Sequence, residues 1–312
     1  MELSPQLRAL RDFYYKTALK LPAERDFVRG ERVIDKPSFF TLENLRTQLN
    51  NPLLTPEYFK LYWQGKTVDC RPAMGHKVVQ AAELPFLNKG IIEEYLANGA
   101  AVVLEAIDLF DPMINAMCAA IDNAGECLLS NSVAFFSQAK GGEAYRGHVD
   151  TADVLVVQLA GRKKWYVHER QKTRWINLNE LEPAAMGPVQ AEFVMQPGDA
   201  IYLRNYTPHR VETADDYSLH MAFDICDRRI NADTALHLLL QRYNQDAAPI
   251  YAPLEGVLGQ LKSHAESKPY RDHLAGLSQA QAENYRRARV LFGTNRVNAL
   301  DKLVAAEAAR RK

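Results

Sequence analysis

Paired cysteines, long apolar runs and an excess of one charge are all missing from this chain of 312 residues. Its four cysteines, Cys70, Cys118, Cys127 and Cys226, make no CxxC pair and keep no regular spacing. That excludes a zinc knuckle and a disulfide framework and leaves four reduced, structural thiols. No apolar segment approaches membrane-spanning length, and the N-terminal MELSPQLRALRDF carries charges where a secretory signal needs an apolar centre. The expectation is a cytoplasmic protein that does not enter a membrane. Lysine plus arginine equals aspartate plus glutamate at 38 each, which argues against a polyanion-binding chain. The balance is uneven, because residues 228–312 hold an excess of six positive charges. Arg286, Arg287 and Arg289 belong to that excess and read as a solvated helical face. Repeats and low-complexity tracts are also absent, and a hydrophobic share of 47% excludes disorder of the whole chain.

What is present divides into three zones of different periodicity. Residues 1–127 mix helices with short strands: Leu45–Gln48 and Ile91–Ala97 read as helical, and Ala100–Glu105 as a buried strand. Asp111-Pro112 reads as the cap and first turn of a helix running to about Asn123. Residues 128–227 consist of short apolar segments separated by Gly, Pro, Asn and Asp, among them Val133–Phe136, Val154–Leu159, Lys164–Val167, Ala191–Met195, Ala200–Leu203 and Ser218–Phe223. Many short strands of this kind build a sandwich or barrel, and a double-sheet jelly roll removes most of the open edges. Residues 228–312 are helical in pattern, with a Pro-containing break at Ala248–Pro253. The predicted fold class is therefore α+β: a jelly-roll core, a mixed N-terminal flank packing on it, and a helical C-terminal region.

The stretch that carries chemistry begins at Gly141 and reaches His148-Val149-Asp150; Tyr206-Thr-Pro-His209 lies far downstream. On an extended segment, residues two apart share a face, so His148 and Asp150 can point together into a barrel while Val149 points away. A histidine from another strand would complete a triangle. Two neutral imidazoles and one carboxylate on one face of an octahedron suit iron(II), with three adjacent positions left for a bidentate cosubstrate and oxygen. Taken alone, His-x-Asp is common by chance, and His209 could be an ordinary loop residue. His76, His168, His237, His264 and His273 have no companion at useful spacing, and Trp165 and Trp175 read as packing residues.

The surroundings of the tripeptide are more specific. Val154–Trp165 reads as a buried strand, a glycine turn, and a basic pair opening a second strand; Gln196-Pro-Gly-Asp-Ala-Ile-Tyr-Leu places a tight turn before the strand that leads to Pro208-His209. This ordered set resembles the JmjC/cupin hydroxylases, and within them the ribosomal-oxygenase branch. The matching residues are His148, Asp150, Gln158, Gly161, Lys163, Trp165, Pro197, Gly198, Asp199, Tyr202, His209, Ser218 and His220, within about residues 131–224. The segment between Ser137 and His148 is longer than the branch pattern, which leaves the choice of substrate open.

The resemblance implies a double-stranded β-helix that binds Fe(II) through His148, Asp150 and His209 and uses 2-oxoglutarate and O2 to hydroxylate a substrate. It places Lys163, thirteen positions after the aspartate ligand, against the distal carboxylate of 2-oxoglutarate, because a desolvated dicarboxylate needs a cation at its far end. Lys164 would point the opposite way. Ser137, and Ser218 with His220, offer groups to the cosubstrate or serve packing, while Asn131 and Tyr145 would line the pocket. A protein or peptide side chain is the preferred substrate, and a small metabolite or biosynthetic peptide the second. Nucleic acid would be met only through a ribonucleoprotein substrate, and the C-terminal helices are associated with homodimers in that branch. Readings from other classes are a metal-dependent cupin that does not use 2-oxoglutarate and an inactive scaffold that binds a partner through its tail.

Overall fold

The structure is a computed structural model that describes residues 2–51, 54–63, 66–71, 74–125, 128–138, 147–170, 181, 186–227 and 272. The helical pattern of residues 228–312 therefore lies outside the described residues except for Asp272, as do Cys127, Tyr145 and Trp175. Two compact units divide the chain: residues 1–121 with 130–226, and residues 122–129 with 227–312. Every strand among the described residues falls wholly or mainly in the first unit.

Helix α1 (Pro5–Lys16) starts where the Ser4 hydroxyl accepts the Leu7 amide, and it buries Leu7, Leu10 and Tyr14 on one face. Helix α2 (Leu42–Leu49) opens with a reciprocal Thr41/Asn44 cap. Helix α3 is Lys89–Ala97, and α4 (Pro112–Asp122) begins at Asp111, whose carboxylate accepts the Met113 and Ile114 amides. The cap expected at Asp111-Pro112 is thus observed. Among the described residues, no helix is long and apolar enough to cross a membrane.

The strands are β1 (Phe27–Gly30), β2 (Phe59–Trp63), β3 (Lys66–Val68), β4 (Met74–Val79), β5 (Ala82–Leu87), β6 (Ala101–Glu105), β7 (Leu128–Gln138), β8 (Asp153–His168), β9 (Val189–Met195), β10 (Ala200–Leu203) and β11 (His209–Asp227). Strands β4 and β5 form a separate hairpin. The others form one sheet in the order β1-β10-β8-β11-β7-β6-β2-β3, with β9 also paired to β8. Residues 1–127 therefore supply strands to both ends of the sheet that residues 128–227 centre.

Strand β8 is where the sheet folds over. Its first half pairs with β10 from Val154 to Val157, its second half pairs with β9 from Lys163 to His168, and β11 follows it along the other side. The two strands expected on either side of a glycine turn are instead one strand of 16 residues with an irregularity at the glycine. Gly161 has φ +62°, and a Cβ there would lie 1.9 Å from the Tyr217 carbonyl oxygen. Only glycine permits that approach, so the chain bulges without ending. The register with β11 slips between Thr213 and Ser218 and again between Leu219 and His220.

The bulge also changes which residues face inward. Val154, Val156, Trp165 and Val167 share one interior cluster with Met195, Ile201, Leu203, Val211 and Ala222. Before Gly161 the inward positions of β8 are even-numbered, and after it they are odd. The same reversal occurs along β11, from Val211 to Ala222. Covering this cluster from solvent stabilises the face that carries the interior side chains, at roughly 25 cal/mol per Å² of apolar surface.

The N-terminal segment closes one edge through the Pro197-Gly198-Asp199 turn. The buried Asp199 carboxylate accepts from Arg29 Nη2 at 2.9 Å and from the amides of Arg32 and Gln196, while the Gly198 carbonyl accepts the Ile34 amide. Gly198 takes φ +94°, as the tight turn requires.

Candidate metal centre

His148 lies just before β8 and His209 opens β11, and a two-residue backbone bridge joins them: each amide donates to the other's carbonyl, at 3.0 and 2.9 Å. Their rings come to 4.2 Å between centroids. Asp150 follows on the same segment, its carbonyl accepting the Tyr206 amide at 2.7 Å. The Asp150 carboxylate lies 3.9 Å from His148 Nε2 and 3.6 Å from His209 Nε2. One donor atom from each residue lies within 4.8 Å of the others, so the three expected ligands converge. Val149 turns away from them but not to solvent; it is buried with Leu181 and Met186.

The protonation pattern suits a divalent cation. His209 Nδ1 lies 3.0 Å from the Thr207 carbonyl, which can only accept, so the proton sits on Nδ1 and the Nε2 lone pair is left toward Asp150. Burial, reinforced by the neighbouring His148, pulls the His209 pKa down to about 4, keeping the ring neutral at physiological pH. Burial raises the Asp150 pKa above its usual value, with His209 opposing the rise, although about a third of its side chain stays open. Bringing these groups together without a cation is costly, and a divalent ion would reverse that cost.

Lys163 is 2% exposed, and its ammonium donates to Ser137 Oγ at 2.8 Å and Thr213 Oγ1 at 3.3 Å. The two hydroxyls are themselves 2.7 Å apart, and Thr213 stands opposite Lys163 across the β8–β11 ladder. Lys164 turns the other way and pairs with Glu192. His220 is buried, stacked on Phe135 at 4.8 Å, and its Nδ1 has no hydrogen-bond partner among the described residues. Burial, and then the charge of Lys163, hold its pKa well below the usual value. Trp165 stacks on His209 at 5.6 Å, and its Nε1 likewise lacks a partner among the described residues.

Ser218 takes a different position from Ser137. It bonds the Gln158 amide at 2.9 Å, and that amide also donates to the carbonyls of Ala160 and Gly161, so Ser218 and Gln158 brace the bulge. Asn131 falls on the inner face of β7, in step with Val133, Phe135 and Ser137. Tyr145 lies outside the described residues. Of the remaining histidines, His168 is buried with its Nδ1 at the Gly187 carbonyl, as expected of a core residue.

Thr213 is a site residue that sequence reasoning misses. It is two residues on from Val211 and four from His209, so strand alternation begun at His209 finds it. The apolar pattern marks that strand only from Ser218.

An antiparallel jelly roll with two histidines and a carboxylate converging on its inner face is the architecture of a cupin-type fold. Residues 108–232 match the JmjC domain family. A curated relative is the bifunctional lysine-specific demethylase and histidyl-hydroxylase NO66 of Drosophila willistoni, 21% identical over 144 residues, which are 45% of this chain. The match spans only 18% of that relative's length. Among solved structures, Escherichia coli YcfD superposes with a TM-score of 0.50 at 15% identity, covering 86% of this chain and 70% of that one. A structure of YcfD, titled a ribosomal oxygenase, in complex with cobalt and 2-oxoglutarate gives 0.50 and 15% over 82% of this chain and 68% of that one.

Proposed function

We propose that this chain is an Fe(II)- and 2-oxoglutarate-dependent oxygenase that hydroxylates a protein or peptide side chain. The observation that carries the proposal is the convergence of His148, Asp150 and His209 within 4.8 Å on an inner face that also holds the buried ammonium of Lys163. A facial set of two imidazoles and one carboxylate leaves half of an octahedral sphere for cosubstrate and oxygen. Iron with 2-oxoglutarate supplies the oxidising chemistry when bound. The protein's part is to bind and to orient. The Thr207 carbonyl fixes the His209 tautomer, and Lys163 with Ser137 and Thr213 offers one cation and two hydroxyls to a carboxylate at the far end of a dicarboxylic acid. The apolar wall of Trp165, Val167 and Val211 excludes water from the same space. The ribosomal-oxygenase title of YcfD and the histidyl-hydroxylase name of NO66 favour a macromolecular substrate over a free metabolite.

The direct test is succinate formation from 2-oxoglutarate by the full chain loaded anaerobically with Fe(II) and then exposed to oxygen. His148→Ala and Asp150→Ala are each expected to abolish turnover and to reduce bound iron measured by elemental analysis. Turnover that persists in either variant overturns the ligand assignment.

A further inference from the structure

Away from the barrel, one proline settles which edge of the isolated hairpin is open. Strands β4 and β5 pair with each other and with no other strand among the described residues. Pro85 of β5 stands opposite His76 of β4. A residue without an amide hydrogen cannot exchange two hydrogen bonds with its opposite number, so His76 and Pro85 form a non-hydrogen-bonded pair. Such pairs alternate with bonded ones along an antiparallel ladder, so Met74 opposite Leu87 and Val78 opposite Glu83 are of the same kind. Met74, His76 and Val78 therefore direct their amides and carbonyls away from β5, along the outer edge of β4. None of the three is hydrogen-bonded outside the hairpin among the described residues. The matching row on the outer edge of β5 is Glu83, Pro85 and Leu87, and its middle amide is missing. One edge is guarded by proline and the other is open.

Apolar side chains crowd the same open edge. Val78 is 71% exposed and Phe86 37%. Phe86 lies across Gly75, its opposite residue, and a Cβ at Gly75 would be 2.4 Å from Phe86 Cζ. The ring thus reaches from β5 over β4 toward the open edge. Lys77, on the same face as Gly75, is exposed and has no ion pair among the described residues. A two-stranded ribbon is marginal by itself, and exposed apolar residues beside an unguarded edge mark where a further strand adds.

We propose that the open edge of β4 pairs antiparallel with β4 of a second copy of this chain, joining two hairpins into a four-stranded sheet in the order β5-β4-β4-β5. The occupant follows from the edges. Each chain offers one open edge, so a two-fold pairing closes after two copies and leaves only proline-guarded edges outside. The register follows from the outward residues. Centring the two-fold axis on His76 places it opposite the partner's His76 and places Met74 opposite the partner's Val78. All three outward residues then form bonded pairs, each exchanging two hydrogen bonds. The same register sets Lys77 opposite the partner's Gly75, where its stem and ammonium meet the partner's Phe86 ring. It also gives the exposed Val78 a cross-strand neighbour in the partner's Met74. Centring the axis on Lys77 would set two ammonium groups face to face, which disfavours that alternative. The interface uses no residue of 228–312 and does not depend on the oxygenase reading.

Cross-linking reads this register directly. Opposite residues of a bonded antiparallel pair have Cα atoms about 5.5 Å apart, within the span of a disulfide. Under mild oxidation of the full chain, His76→Cys is expected to give a covalent dimer as its main species on non-reducing electrophoresis. Glu83→Cys, on the guarded edge, is expected to run as a monomer, as is the unmodified chain. Adding Val78→Pro to His76→Cys removes an outward amide but no bond of the hairpin, because Val78 and Glu83 exchange none, and it is expected to abolish the cross-link. A His76→Cys chain that stays monomeric, equal cross-linking of Glu83→Cys, or a cross-link that survives Val78→Pro overturns the proposal. So does an unmodified chain that sediments as a monomer at the concentration used for cross-linking. That outcome requires no variant to fold, and it would leave the edge of β4 to an extended segment of a different protein.

Discussion

Lys163 and Lys164 are neighbours in sequence with opposite surroundings: one lies on the inner face among hydroxyls, the other outside against Glu192. Lys163→Ala is expected to raise the apparent KM for 2-oxoglutarate about 10- to 100-fold, the size of a lost charge-assisted contact of ~1.5–3 kcal/mol, with a smaller change in kcat. Lys164→Ala removes an exposed ion pair and should leave both parameters within about twofold. Equal KM values in the two variants would remove Lys163 from the cosubstrate pocket. His148 and Asp150 could be read as a pair because they stand two apart on one extended segment, whereas His209, far downstream, and Lys163 were placed by the resemblance of the motifs around them. Asp224 on β11 was not legible as an unusual carboxylate: burial, then the charges of Asp150 and Glu105, push its pKa up to about 7 against the pull of Lys60, and Glu105 and Lys60 come from β6 and β2, more than a hundred residues away. Its enclosure has a cost that can be measured. The folded protein binds a proton at Asp224 more tightly than the unfolded chain does, so stability is full below the ordinary carboxylate range and is lost as pH rises toward about 7. Each tenfold difference in proton affinity is worth about 1.4 kcal/mol. Asp224→Asn should therefore raise Tm of the metal-free protein at pH 8 and change it little at pH 4, with differential scanning fluorimetry as the check. A Tm difference independent of pH would show that Asp224 is solvated.

Among the elements, β8 decides whether the lysine reaches the interior at all. Without the bulge at Gly161, strand alternation from Val154 and Val156 would put Lys164 inside and Lys163 outside. The brace is the Gln158 amide, which donates to the Ala160 and Gly161 carbonyls and to Ser218. Gly161→Ala meets backbone at Tyr217 and a left-handed φ, so the bulge must shift. A loss of about 2–4 kcal/mol in unfolding free energy is expected, together with weakened 2-oxoglutarate binding, measurable by urea denaturation and by calorimetry. A folded variant with unchanged affinity would show that the bulge does not position Lys163. The pattern Gln-x-x-Gly was visible in the sequence, but its meaning was not. A glycine between two apolar runs reads as a turn that ends one strand. Whether the strand continues depends on β10, β9 and β11 pairing with its two halves, and that is information from elsewhere in the chain.

At the scale of the molecule, the zones read from periodicity mark changes in local pattern, while the sheet marks what folds together. Residues 1–121 and 130–226 form one compact unit. From the N-terminal part, β1 covers the edge of β10, β6 covers that of β7, and Tyr14 of α1 packs against Tyr202. Helix α1 also reaches α4 through the Tyr15 hydroxyl, which donates to the Ala120 carbonyl at 2.7 Å. A fragment of residues 128–227 would keep His148, Asp150, His209 and Lys163. It would also expose two strand edges, the apolar face that α1 covers, and a buried Asp199 deprived of Arg29. Open edges favour association, and removing one partner of a buried ion pair costs about 3–5 kcal/mol, a large part of a domain's net stability. The fragment is therefore expected to show no cooperative thermal transition and no retained cobalt, whereas the chain from residue 2 to 227 should unfold in one transition that metal shifts upward. Calorimetry with and without cobalt(II) separates the two. A sigmoidal, metal-sensitive transition in the shorter fragment would mean that the core folds by itself and that the N-terminal strands merely dress it.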